Sequence, residues 1–275
     1  MKAMYEGWLD HSDKDSSGII IWISHPAYPA FVWQTYDYYY DTSGAYWGAK
    51  TACEPVHIYW NCSNDRIRVV NTTGKTVENL KADLWIYNMD GREKGHQTAK
   101  INSPYNEVAD CFKLASPTGL SPTHFLKLRL TDSSGGVVSE NFYWRGTTPL
   151  DYFGLSDLKP VTLAVTVPTS EVPVHGMARL SLDIANPAHS GAVALAIRPK
   201  LVKSGNGDQV LPVFMNDGYF SLVPGETKHI TIEYNPANAD GKTPKVEVEC
   251  WNNVPHPTPV KPGPMPDPKK PPANK

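Results

Sequence analysis

Hydrophobic and polar positions along the chain follow three different rhythms. In residues 1–54, "KAMYEGWL" puts Met4 and Trp8 on one face at helical spacing, with Tyr5 at its edge, and predicts a short amphipathic helix. The turn formers of "DHSDKDSSG" end it. "IIIWI" (Ile19–Ile23) is then apolar without alternation, the pattern of a strand buried on both faces as in a parallel sheet. After a long aromatic stretch, "SGAYWGAKTACEP" predicts a second helix that starts near Ser43 and stops before Pro55. Helix, buried strand, long loop and helix is α/β logic, but one strand of that kind cannot stand alone.

From Val56 to about Arg145 the period becomes two. "VHIYWNC", "RIRVVN", "KADLWIYNMD", "EVADCFKL", "HFLKLRLTD" and "VVSENFYWR" alternate apolar with polar residues, with turn signals such as "NMDGRE" and "TDSSGG" between them. Half-buried strands at this spacing predict an antiparallel sandwich of immunoglobulin type over residues 55–148, without the Cys–Trp–Cys hallmark. A linker around "GTTPLDYFGLSDLKP" leads to "VTLAVTV", "MARLSLDIAN", "VALAIRPKLV", "QVLPVFM", "HITIEY" and "KVEVECW", a second sandwich over residues 157–251. Residues 252–275 are rich in proline and predict an extended, disordered tail. The fold class is therefore mainly β: two consecutive Ig-like sandwiches after a short α/β segment.

Composition narrows the function. A formal charge of −2 gives no electrostatic reason for a nucleic-acid or anionic-membrane partner. No apolar run is long enough to span a bilayer, and "MKAMYEGWLDHSDKD" lacks the apolar core of a secretory signal. Cys53, Cys62, Cys111 and Cys250 form no CxxC or Cys/His cluster, which argues against zinc and favours buried free thiols over a pairing such as Cys62 with Cys111. Nothing calls for a metal or a cofactor. Sequons at Asn61 and Asn71 are short enough to arise by chance.

The aromatic stretch carries the informative motif. Between Tyr28 and Trp47 it holds nine aromatics, and its only charges are Asp37 and Asp41. "SGIIIWISHPAYPAFVWQTYDYYYDTSGAYWGAKTACEPVHIYW" resembles the end of the catalytic barrel in family 2 glycoside hydrolases, in the branch of exo-β-D-glucosaminidases, β-mannosidases and plant-type endo-β-mannosidases. "LPVFMNDGYFSLVPGETKHITIEY" resembles the last Ig-like domain of the exo-glucosaminidases, although that family has Asn where Gly218 stands. The resemblance implies the last strand–helix unit of a TIM barrel in residues 1–54, followed by the two sandwiches. It implies β-linked oligosaccharide as the substrate of the intact enzyme, a periplasmic or extracellular setting for it, and an N-terminal barrel portion as partner. The two catalytic glutamates of its retaining mechanism would lie before Met1. Glu6 and Glu54 sit in the outer helical layer, away from the strand ends where barrel chemistry lies, so this chain is expected to be inactive in isolation.

The resemblance also gives candidate contacts. Trp22, Ser24, His25 and Trp33 fall at or just after the C-terminal end of the apolar strand, the edge that faces a barrel's active site. Indole faces would stack on pyranose C–H groups while Ser24 and His25 supply hydrogen bonds; the competing reading is packing between domains. Tyr36, Tyr38 and Tyr40 form either an exposed platform or, the favoured reading, a wedge at a domain boundary. Asp37 suits a turn cap, His57 a satisfied histidine at the domain joint, and Asp217 and Tyr219 turn and core positions. A barrel end without its neighbours would expose an apolar patch from Ile19 to Trp47, with self-association or partial disorder as the consequence. The alternative function is a stand-alone Ig-like module that binds carbohydrate or protein without catalysis.

Overall fold

The computed structural model describes residues 1–30, 34–174 and 176–253. It opens with helices α1 (Lys2–Leu9) and α2 (Gly44–Ala52), the latter capped by Ser43, whose Oγ accepts from the Ala45 amide at 3.2 Å. Seven strands follow: β1 (Val56–Asn61), β2 (Arg66–Asn71), β3 (Val77–Asn88), β4 (Glu93–Ser103), β5 (Val108–Lys113), β6 (Thr123–Thr131) and β7 (Val137–Gly146). They pair antiparallel as two sheets, β1-β2-β5 facing β4-β3-β6-β7. Alternation explains the register. Leu80, Ala82, Leu84 and Ile86 of β3 and Leu126, Leu128 and Leu130 of β6 all point into one core with Ile58, Ile67 and Val69.

The second sandwich holds β8 (Ala164–Val165), β9 (Thr169–Val174), β10 (Met177–Ala185), β11 (Ala194–Lys203), β12 (Val213–Met215), β13 (Phe220–Leu222), β14 (Thr227–Tyr234) and β15 (Pro244–Glu249). One sheet runs β12-β14-β10-β8, with β9 also paired to β10; the other runs β13-β11-β15. Its core is built on Leu182, Ile184, Ile197, Leu201, Ile230 and Ile232.

The connection between the sandwiches is a packed 3-10 helix at Pro149–Asp157 rather than a free linker. Leu155 and Leu158 join Phe125, Phe142, Val193, Leu195 and Val223 in a third apolar cluster that belongs to neither core. β6 is consequently buried on both faces, with its leucines in the first core and Phe125 in this joint. Lys127, next to Phe125, is paired across the joint with Glu226 and also with Glu140 at 3.3 Å.

Two expectations for residues 1–54 need correction. The apolar run Ile19–Ile23 is not a strand; the backbone there is irregular and Ile20 is 99% exposed. A lone strand leaves its amides and carbonyls unpaired, and no described element offers this run an edge, so the barrel-type strand does not form in the chain as it stands. Helix α1 is also turned over relative to its apolar stripe: Met4 and Trp8 are exposed, whereas Glu6 is only 4% exposed. The surface that α1 covers is polar, carrying His57, Asn141 and Tyr143, so a charged partner fits where an apolar one would strand buried polar groups.

The thiols are free, but Cys53 and Cys62 are exposed and only Cys250 is fully buried. The proline-rich tail from residue 254 onward lies outside the described residues.

Candidate functional site

The aromatic stretch folds back on itself around one carbonyl and one carboxylate. The Ser24 carbonyl accepts from the Tyr36 amide at 3.2 Å and from Thr35 Oγ1 at 3.1 Å, so Ser24 contributes its backbone to the fold of the loop. The loop reverses at Asp37, whose Oδ1 accepts from the amides of Tyr39 at 2.8 Å and Asp41 at 3.0 Å, the turn-capping role the sequence suggested. Tyr36 then bridges to Thr42, and Thr42 Oγ1 accepts from the Trp47 indole at 3.0 Å.

This reversal gathers rings. The His25 imidazole stacks on Tyr40 with centroids 4.6 Å apart and 14° between planes, and on Tyr38 at 6.4 Å and 17°. Its Nε2 lies 3.3 Å from the Tyr38 carbonyl, which fixes that nitrogen as a donor. Tyr39 meets Tyr38 edge-on at 5.2 Å. Of the three tyrosines expected at a domain boundary, Tyr36 is half-buried against Tyr46 with centroids 5.3 Å apart, whereas Tyr38 and Tyr40, with Tyr39, face solvent as a platform. Trp22 is 77% exposed on the same segment, Ser24 is exposed, and Trp33 lies outside the described residues. Among the described residues Ile20, Trp22, Ile23, Tyr28 and Tyr38–Tyr40 are thus open, while Trp47 at the far end is buried.

The second sandwich braces this loop. Asp41 pairs with Arg198 of β11 and accepts from Gln209 Nε2 at 3.2 Å; the Arg198 guanidinium lies 5.9 Å from the Tyr219 ring. Lys50 of α2 donates to the Asn216 carbonyl at 2.6 Å and sits 4.7 Å over the Trp47 ring. Asp217 accepts from the Gly218 amide at 2.7 Å, the turn contact expected of it, and pairs with Lys228; Tyr219 is half-buried against α2 at Gly44 on the cleft wall, not the core position expected of it. A cleft of about 1180 Å³ is lined jointly by the two helices and both sandwiches, with Lys2, Trp47, Trp60, Trp144, Tyr219 and Lys228 on its walls.

A second constellation escaped the sequence. His57 is 0% exposed and lies between two carboxylates: Nε2 is 3.2 Å from Glu6 Oε1 and Nδ1 is 3.2 Å from Glu54 Oε2. Asn141 Nδ2 and Tyr143 Oη each donate to Glu6 Oε1 at 2.8 Å, and Ser139 Oγ donates to Glu54 at 2.5 Å. Lys2 donates to Asn141 Oδ1 at 2.8 Å and to the Phe142 carbonyl at 2.7 Å. Burial opposes the charge on Glu6, but His57, Lys2 and Asn141 hold its carboxyl below the usual range. Burial also opposes the charge on His57, yet its bonds to Glu54 and Glu6 raise its pKa above that of a free imidazole. Glu6 Oε1 and Glu54 Oε2 carry these bonds, Glu6 buried and Glu54 half-buried. The alternation of β1 placed His57 at the joint, but the two acidic partners come from 51 and 3 residues away, and no local spacing announces them. Among the described residues no group of three or more His, Cys, Asp or Glu side chains could hold a metal ion.

Comparison with known proteins adds relatives for both sandwiches. The exo-β-D-glucosaminidase Ig-fold domain matches residues 141–253, and the mannosidase Ig/CBM-like domain matches residues 64–147. An exo-β-D-glucosaminidase of Amycolatopsis orientalis is 34% identical over 261 residues, covering 88% of this chain and 25% of that protein. One from Streptomyces avermitilis is 31% identical over 278 residues, covering 92% and 30%. The crystal structure of Amycolatopsis orientalis exo-chitosanase CsxA superposes with a TM-score of 0.83 at 32% identity, over 91% of this chain and 32% of that one. A β-D-mannosidase from Dictyoglomus thermophilum shares the fold, with a TM-score of 0.62 at 19% identity. The chain spans a quarter to a third of the length of the curated relatives it matches, 25% and 30% for the two above.

Proposed function

The two sandwiches of this chain are Ig-like domains of the exo-β-D-glucosaminidase and mannosidase kind, and from that premise we propose that it forms the C-terminal accessory portion of a β-glycosidase. The substrate class is a β-linked glycan of the glucosaminide or mannoside type, and residues 1–54 supply the closing unit of a catalytic barrel. The observation that carries this reading is the bracing of the aromatic loop by the second sandwich through Asp41 and Arg198. A domain that fixes a ring-lined loop at its own edge suits the shaping of a substrate entrance. Trp22, Ser24 and His25 form one wall of that site, with Tyr38 and Tyr40 extending it, and Trp33, outside the described residues, is proposed as a further sugar contact.

The chain supplies no acid/base pair in this reading. Retaining hydrolysis needs two carboxyls about 5–5.5 Å apart that both reach the scissile bond. Glu6 is buried, and Glu54 is taken up with His57 and Ser139, so neither is free to meet a sugar. Periplasmic or extracellular placement of the intact enzyme, and a barrel portion as partner, belong to the same proposal.

A chimaera tests it. This chain replaces the corresponding C-terminal part of the Amycolatopsis orientalis enzyme, and release of glucosamine from chitosan oligosaccharides is followed. Hydrolysis by the chimaera, with a raised KM after His25→Ala, is the expected result. A folded chimaera that binds oligosaccharide but never cleaves it would count against the accessory role.

The exposed Tyr38–Tyr40 platform favours one second reading, a binding module that works without catalysis. Calorimetric titration of the isolated chain with chito- and manno-oligosaccharides separates the two: heat of binding supports the module, and its absence supports the accessory portion.

A further inference from the structure

We propose that the proton on His57 is a latch that holds helix α1 and the end of α2 onto the first sandwich, so that the N-terminal segment docks below a titration point and releases above it. The argument begins with donor counting. A neutral imidazole has one N–H and one bare nitrogen, whereas both His57 nitrogens face carboxylate oxygens at 3.2 Å. A neutral ring would set a lone pair against one of those oxygens while both carboxyls are ionised, and its bare nitrogen could accept only from Ser139 Oγ or Asn141 Nδ2, each 3.3 Å away and already donating to Glu54 or Glu6. The imidazolium satisfies both carboxylates directly.

The surroundings make that proton consequential. From α1 come Glu6 and Lys2, and from the turn after α2 comes Glu54. The β1 residue Tyr59 lies parallel to the ring at 6.1 Å and gives its hydroxyl to Asp10 at 2.6 Å. Ser139, Asn141 and Tyr143 of β7 close the remaining side. With His57 protonated the cluster holds two positive charges (Lys2, His57) and two negative (Glu6, Glu54). Loss of the proton leaves two carboxylates facing Lys2 alone, whose own charge burial disfavours, and the cost falls chiefly on Glu6, which is buried where Glu54 is only half-buried. Release of the segment lets Glu6 and Glu54 return to water.

The direction follows from linkage. His57 titrates higher in the docked state than when free, so its contribution is complete below the ordinary imidazole pKa and disappears as pH rises through the docked value. Glu6 titrates lower in the docked state, so its contribution fails at the acid end, as pH falls through its own carboxyl range. Docking therefore weakens toward alkali through His57 and toward acid through Glu6, while Lys2, which burial lowers in the docked state, works the other way as pH rises through its own titration.

Hydrogen exchange on the whole chain reads the latch directly. After correction for the intrinsic base-catalysed rate, opening of the α1 amides should rise by up to about tenfold per pH unit above the His57 titration point, one proton being linked to release. Amides of β10 and β14 should stay flat across the same range. His57→Gln, which cannot donate from both sides at once, should abolish the alkaline rise. Should that variant fail to fold, ring nitrogen shifts of the native chain decide: two protonated nitrogens on His57 at neutral pH support the latch. Glu54→Gln should lower the His57 titration point while leaving the fold intact. A bare His57 nitrogen at neutral pH, or α1 protection that does not change with pH, overturns the proposal.

Discussion

Gly218 lies directly against the Trp47 indole: a Cβ built on it would come within 2.7 Å of Cε2 and 2.8 Å of Nε1. Trp47 is a buried ring whose nitrogen is committed to Thr42, so it cannot swing aside cheaply. Gly218→Ala should therefore destabilise the contact between α2 and the second sandwich by about 1–3 kcal/mol, the usual cost of overpacking. Urea unfolding followed by tryptophan fluorescence checks this, and a larger side chain such as Asn should cost at least as much.

Asp10 fastens the end of α1. Its carboxylate accepts from Tyr59 Oη at 2.6 Å, Arg68 Nη1 at 2.8 Å and Asn61 Nδ2 at 2.8 Å. Burial opposes its charge, but those donors hold its carboxyl below the usual range. Asp10→Ala should cost about 1–3 kcal/mol at neutral pH, because the buried Tyr59 hydroxyl loses its acceptor. A depressed carboxyl contributes above its unfolded pKa and loses that contribution as pH falls through its native one. The gap between native and variant chains, measured by denaturant titration at several pH values, should narrow toward acid.

Phe125 sits fully buried in the joint between the sandwiches. Phe125→Ala should cost about 3–5 kcal/mol and uncouple the two units, since the cavity opens between them. Calorimetry should then show two transitions in place of one. A single transition shifted as a whole would mean that the two sandwiches unfold together for another reason.

The thiols should divide by environment. Cys62 should react first with a thiol reagent in the native chain, with Cys53 slower because burial raises its pKa. Burial pushes the Cys111 thiol up to about 12, with Asp110 adding to the shift, and Cys250 is buried. Those two should react only on unfolding, as mass spectrometry after timed alkylation would show.

Of the two sequons, Asn71 is fully buried and gives its amide to the carbonyls of Lys75 at 3.0 Å and Ser103 at 2.9 Å. In a glycosylating host the folded protein should carry no glycan at Asn71, which peptide mapping would verify. An occupied Asn71 would require this turn to form only after modification.

The chain's own letters determined a good deal. The two-residue alternation named most strands of both sandwiches, missing β4, β9 and β13, Ser43 marked the start of α2, and the run from Ser17 to Trp60 pointed to the relatives found for the flanking domains. These signals are local: periodicity, caps and turns need no knowledge of what lies across the fold. The tertiary structure alone decided the rest. Ile19–Ile23 has the composition of a buried strand but no edge to pair with, so it stays irregular. Helix α1 buries Glu6 and exposes Met4 and Trp8 because the surface beneath it is polar. The ring cluster at His25 depends on a reversal at Asp37 and on Arg198, 157 residues beyond its partner Asp41. His57 became a two-carboxylate clamp only when Glu6 arrived from 51 positions away. Hydrophobic pattern fixes which residues leave water, but which polar groups must meet once they are inside depends on the facing surface, and that surface is assembled from distant parts of the chain.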